Sequence, residues 1–152
     1  MPFRYKLQKM LDFREREKEL QETVVNRARQ KLRMEIENVE KNKQEIAQIT
    51  VARKKAHYTM MEYYDKYIHH LWDKAETLEQ ERKEAEQELQ MEIQKLVECE
   101  QRVKVLEKHK EKQKEIYIEE EKKQELKMFS ELGVQRHFIR SREEAAEQGE
   151  DI

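Results

Sequence analysis

The fold turns on the stretch RKKAHYTMMEYY, Arg53 to Tyr64, because two heptad patterns meet there out of phase. Before it, Leu7, Leu11, Val25, Ala28, Leu32, Val39, Ile46, Ile49, Ala56 and Met60 fall into one register with alternating spacings of three and four. Such a pattern keeps two apolar positions in seven on one side of a helix, the seam of a coiled coil. After it, Tyr64, Ile68, Leu71, Ala75, Leu78, Ala85, Leu89, Leu96, Cys99, Val103 and Leu106 fall into a second register, shifted by one residue. A one-residue shift is either a skip in one continuous helix or a turn between two.

Three features favour the turn. Thr59-Met60-Met61-Glu62 reads as a capping box, with Tyr58 and Tyr63 at the staple positions. Midway between Leu7 and Leu106, where the seams begin and end, lies residue 56 or 57, where an antiparallel hairpin would fold back. A single helix of ~130 residues would be ~195 Å long at 1.5 Å per residue, which is unusual outside fibrous dimers. The expected architecture is therefore all-α: a long antiparallel two-helix coiled-coil hairpin with the second helix longer and overhanging. Helix 1 is expected over about 3–53, the turn over about 54–59 and helix 2 over about 60–132. Residues 1–135 then form one hairpin domain and 136–152 a frayed or disordered tail. Gly133 is the expected stop. The alternative is a parallel homodimeric scaffold with one uninterrupted helix per chain.

Composition agrees. Charged residues make up 43% and apolar residues 36% of the 152, too little apolar surface to enclose a globular core. Pro occurs at residue 2 and Gly at residues 133 and 149, so 3–132 holds no helix breaker. Glu, Lys, Gln, Arg and Leu dominate, and all favour helix. The seam carries polar interruptions at Arg14, Lys18, Gln21, Glu35, Asn42, Arg53, Arg82 and Glu92. Asn42 suits a role in fixing register. Past Leu106 the seam fails at Lys110 and Gln113, so helix 2 is expected to overhang by 25 to 30 residues, ~40 Å.

The charges, 32 basic and 34 acidic, are interleaved along the chain. That pattern argues against nucleic-acid binding, which favours a basic stripe, and against a basic membrane-surface helix. No apolar run approaches the ~18 residues of a membrane span, and the opening MPFRYKLQKM lacks a secretory signal's apolar stretch. With one cysteine, Cys99, the expectation is a protein of the reducing cytoplasm. No catalytic constellation stands out, so the reading is non-enzymatic, with no cofactor. The five histidines, His57, His69, His70, His109 and His137, include no pair four apart, so no metal site is expected.

Aromatic residues cluster instead. Tyr58, Tyr63, Tyr64, Tyr67 and Trp72 include the one Trp and four of the six Tyr. A seam two residues wide cannot bury them all, and exposed Tyr and Trp mark binding hot spots; an apolar plug closing the turn is the other reading. At the overhang, Tyr117, Leu126 and Phe129 pose the same question.

The chain resembles the flagellar export protein FliJ family, coiled-coil stalks of the flagellar type III export apparatus. The opening FRYKLQKMLDFREREKE, Phe3 to Glu19, is similar to that family's aromatic start, early Leu-Gln and charged run. Tyr64-x-x-Tyr67-x-x-x-Leu71 is similar to its Y-x-x-F-x-x-x-L, with Tyr67 where Phe is common, and Val105-Leu106-Glu107-Lys108 to Phe129 resembles its later segment. The likeness covers about residues 3–135. It implies a fold like the central stalk of rotary ATPases. It also implies a cytoplasmic protein, peripheral to the membrane at the flagellar base, that serves flagellum biogenesis and protein export. The implied partners are the hexameric export ATPase, the membrane export gate and export chaperones. By that resemblance the gate would meet Tyr64, Tyr67 and Leu71, to which exposure adds Tyr63 and Trp72. The ATPase would meet the overhanging end, with Phe3, Leu7, Tyr117, Leu126 and Phe129.

Overall fold

A computed structural model describes residues 2–150, the side chain of residue 150 excepted. It holds two helices, α1 (Gln8–Lys55, 48 residues) and α2 (Met61–Glu150, 90 residues), joined through a single 3-10 turn at Tyr58–Met60. Among the described residues there is no strand. The fold is an all-α antiparallel hairpin with a longer second helix, and the reading as one uninterrupted helix is overturned by the break at Ala56–His57. The chain divides into two units, one of Met10–Lys104 and one of Met1–Lys9 with Val105–Ile152.

In Met10–Lys104 the helices run antiparallel. Cross-helix partners climb in α1 as they fall in α2: Gln21 with Glu92, Lys31 with Glu88, Asn42 with Leu71, and Arg53 with Asp65. Leu11, Val25, Ala28 and Asn42 are buried from one side, and Ile68, Leu71, Ala85 and Val103 from the other. The remaining seam positions from Arg14 to Ala56 and from Tyr64 to Cys99 are half-buried, as the two registers require. A fully buried Leu or Val contributes roughly 1.5–3 kcal/mol, so stability here is spread over many partial burials.

The turn needs no glycine because no non-glycine residue among those described has positive φ. His57 is extended at φ −63°, ψ 143°, and the chain re-enters helix through the 3-10 turn, with the Met60 amide donating to the His57 carbonyl at 2.9 Å. The cap differs from the expected capping box. The His57 side chain supplies it, its Nδ1 accepting from the Thr59 amide at 3.4 Å and lying 2.8 Å from the Thr59 hydroxyl. An imidazole nitrogen here replaces the hydroxyl acceptor that a Thr cap would provide. Arg53, Lys54 and Lys55 end α1, and Glu62 opens α2, both favourable to the helix dipoles.

In the other unit, α1 does not begin at residue 3. Residues 2–7 are non-helical and close with the Gln8 amide donating to the Tyr5 carbonyl at 3.2 Å. Their rings lie on α2 instead: Phe3 packs on Tyr117 at 5.5 Å, and the Tyr5 hydroxyl reaches the Leu106 carbonyl at 3.4 Å. These contacts outweigh local helix preference. They also extend cover past Leu106, since Lys110 donates to Gln8 at 2.8 Å. The helix does not stop at 132. It passes through Gly133 and includes 136–150, expected as a frayed tail; residues 151 and 152 lie outside the described residues. A stop at glycine needs positive φ, which Gly133 does not adopt, and an interior Gly costs only ~1 kcal/mol against Ala. From 122 to 149 every residue is exposed.

Candidate interaction surfaces

The group beside the turn is built on the first three turns of α2. A helix with one seam buries one stripe and presents the rest to solvent. Ile68 and Leu71 take the seam, which turns Tyr63, Tyr67 and Trp72 outward, Tyr63 to 68% exposure. Tyr64 sits half-buried at the seam edge. Leu71, read as a contact residue, is 2% exposed and belongs to the interhelix core, where a partner cannot reach it. The rings do not form a closed plug, since Tyr58 is also exposed.

Polar contacts fix this surface. The Tyr67 hydroxyl donates to Glu45 at 2.5 Å, and that hydrogen bond raises the phenol pKa above its usual 10.0 by favouring the protonated form. Arg53 forks onto Asp65, Nε to Oδ1 at 2.5 Å and a terminal nitrogen to Oδ2 at 3.3 Å, and the bond raises the guanidinium pKa further. Trp72 lies edge-on to His69 at 5.1 Å, and Tyr67 lies 6.3 Å from His70. The result is a held aromatic and imidazole surface with indole and phenol faces open to a partner.

The second surface lies in the unit of Met1–Lys9 and Val105–Ile152. Phe3, Tyr5 and Leu7 with His109, Ile116 and Tyr117 line a groove of about 580 Å³. Tyr5 and His109 lie 2.6 Å apart at the hydroxyl and Nδ1, and Tyr117 donates to Glu121 at 2.7 Å, which raises its phenol pKa. Of the residues assigned to this end, Phe3, Leu7 and Tyr117 come together in the groove. Leu126 and Phe129 do not join them; both stand exposed further along α2, Phe129 at 70%. Met128, Leu132, Val134, Phe138 and Ile139 are exposed there too. The sequence reading missed Tyr5 and His109, and an aromatic 104 residues from a histidine leaves no periodic signal.

The polar seam residues find partners the sequence could not assign. Gln21, an interruption in α1, donates to Glu92, an interruption in α2, at 2.6 Å to the carboxylate and 3.0 Å to the carbonyl. That bond holds the Glu92 carboxyl below its usual pKa. Asn42, 3% exposed, donates to the Leu71 carbonyl at 3.3 Å, so its buried amide is satisfied across the seam. Glu35 differs: its Oε2 is buried with no hydrogen-bond partner. Cys99 is half-buried in the seam.

Among the described residues no group of His, Cys, Asp and Glu is arranged to hold a metal ion, and no helix is long and apolar enough to cross a membrane. No protein-family model, curated protein or solved structure matches the chain.

Proposed function

We propose that the chain is a non-enzymatic coupling protein, a coiled-coil stalk of a flagellar-type export apparatus working at the cytoplasmic face of the membrane. It binds a hexameric export ATPase through the free end of α2 and a membrane export gate through the aromatic group beside the turn, and it escorts export chaperones. The observation that carries the reading is the exposed run of α2 past Glu121, where Leu126 and Phe129 stand without intramolecular cover. Exposed apolar groups of this size mark interaction sites in soluble proteins. Tyr63, Tyr67 and Trp72 supply a second surface rich in hot-spot residue types. Leu71 drops out of the gate contact and serves to set the rings around it.

The test is turnover of the purified hexameric export ATPase with and without the chain. Addition is expected to raise turnover, and Leu126→Asp with Phe129→Asp to abolish the rise while leaving the helical circular dichroism unchanged. An ATPase indifferent to the intact chain refutes the proposal.

A further inference from the structure

The turn end of the hairpin breaks the charge pattern of the chain. Acidic and basic residues are interleaved along both helices, yet no Asp or Glu occurs from residue 46 to residue 61, the longest run without one. Arg53, Lys54, Lys55 and His57 lie in that run. Two cations near the turn are already held, Arg53 by Asp65 at 2.5 Å and Lys66 by Glu62 at 3.6 Å. Glu62 and Asp65 are the only acidic residues between Glu45 and Asp73, so Lys54 and Lys55 have no acidic partner among the described residues. The same end carries apolar side chains that no other part of the hairpin covers. Tyr58 is 76% exposed, and Val51, Met60 and Tyr63 are exposed with it. Charge and apolar surface coincide here. Val51 stands three and four residues before Lys54 and Lys55, hence on the same side of α1, and Tyr63 stands three before Lys66 on α2.

From this coincidence we infer that the turn end docks on an anionic lipid surface, with Tyr58, Met60 and Tyr63 entering the headgroup layer and Lys54 and Lys55 meeting lipid phosphates. Tyrosine suits the membrane–water boundary, its ring in the apolar layer and its hydroxyl wet. Lysine carries its ammonium to a phosphate on a stem that lies along apolar surface. An anionic leaflet attracts each lysine brought within a Debye length of it. Rings exposed at a turn, the outermost point of a hairpin, can meet a flat layer without any groove to receive them. The docking is by this end alone, unlike a basic helix lying along a membrane, which the interleaved charges argue against. Val51, Lys54, Lys55, Tyr58 and Met60 play no part in the export reading, and the inference does not rest on it.

The experiment floats the full chain with vesicles of phosphatidylcholine alone and of equal parts phosphatidylcholine and phosphatidylglycerol. The chain is expected to rise with the anionic vesicles only, and less so as salt screens the charges. Lys54→Glu with Lys55→Glu is expected to weaken binding by about tenfold or more, and Tyr58→Ser with Met60→Ser to weaken it as clearly. All four side chains are exposed, so helical circular dichroism is expected to stay unchanged. Lys122→Glu with Lys123→Glu, an equal change of charge in the other unit, is expected to leave binding as it was. In a Trp72→Phe background, emission from Tyr58→Trp is expected to shift to the blue on anionic vesicles. A chain that ignores anionic vesicles overturns the inference and leaves the turn end to an acidic protein surface. Equal binding to neutral vesicles, an equal loss in the Lys122 and Lys123 variant, or unshifted emission overturns it as well. The vesicles contain no protein, so failure here leaves the export reading as it stood.

Discussion

Replacing Glu35 by leucine is expected to stabilise the hairpin, although it removes a charge from a protein rich in them. Glu35 occupies a seam position between Leu32 and Val39, and its Oε2 is buried without a hydrogen-bond partner. A buried polar atom left unsatisfied costs about 1–3 kcal/mol. Leucine removes that cost and adds apolar burial, about 1 kcal/mol for a half-buried side chain against the 1.5–3 of full burial. The net expectation is a gain of about 2–4 kcal/mol, or roughly 4–16 °C in Tm for a chain of this size. Thermal and urea unfolding followed by circular dichroism at 222 nm would measure it. Glu92→Leu is the matched control, since Glu92 sits at an equivalent position in α2 but accepts two bonds from Gln21 through its carboxylate and carbonyl. There the substitution removes the carboxylate acceptor, leaves the Gln21 amide only the residue-92 carbonyl, and is expected to destabilise. A Glu35→Leu protein no more stable than wild type would refute the argument, and equal effects at both positions would show that partnering does not decide the outcome.

Leu71→Ala is expected to cost about 2–4 kcal/mol in urea unfolding because the side chain is 2% exposed in the seam. Tyr63→Ala, two turns earlier on the outer face, is expected to stay within about 0.5 kcal/mol; similar losses would place Tyr63 in the core. Glu92, whose carboxyl Gln21 holds below its usual pKa, contributes stability that is fully present above the unfolded value of 4.5 and is lost as pH falls through the folded value. Acid unfolding curves of wild type and Glu92→Gln are therefore expected to converge only as pH falls through the folded-state value, which lies under 4.5. Tyr67, raised above 10.0 by Glu45, is expected to ionise closer to 10 in Glu45→Ala, read as phenolate absorbance at 295 nm. Tyr5→Ala with Phe3→Ala is expected to speed amide exchange in residues 105–117, and unchanged exchange would show that the amino-terminal segment gives that stretch no protection.

The two seams were legible because apolar residues recur at heptad spacing, and their one-residue offset located the turn. What escaped the reading depends on partners distant in sequence. Glu92 looked like an interruption until α1 placed Gln21 opposite it. The segment at 3–7 reads as helix-friendly, and it takes its non-helical form with Phe3 on Tyr117 and Tyr5 on Leu106 and His109. Gly133 shows a different limit. Glycine permits a helix stop without requiring one, and with good helix formers on both sides the cooperative ladder continues. Among the candidate contact residues, exposure of Tyr63, Tyr67 and Trp72 followed from their places off the seam. Leu71 was misplaced because a motif spacing carries no information about which side of the helix is already taken.

Register in the hairpin then follows from the polar residues more than from the apolar ones. Ala, Val, Leu and Ile can slide along a two-helix seam by one heptad and still meet apolar neighbours, since every seven residues look alike. The side-chain pairs Gln21 with Glu92 and Arg53 with Asp65 cannot slide in this way, whereas the backbone carbonyl that Asn42 uses recurs at every position. A one-heptad slip would part both pairs, and a buried polar group left unsatisfied costs about 1–3 kcal/mol. One pair lies in the interior of α1 and the other in its last turn, so slippage is opposed at both levels. Fixed register in turn settles which α1 residue each ring meets, and so places the Tyr67 hydroxyl against Glu45.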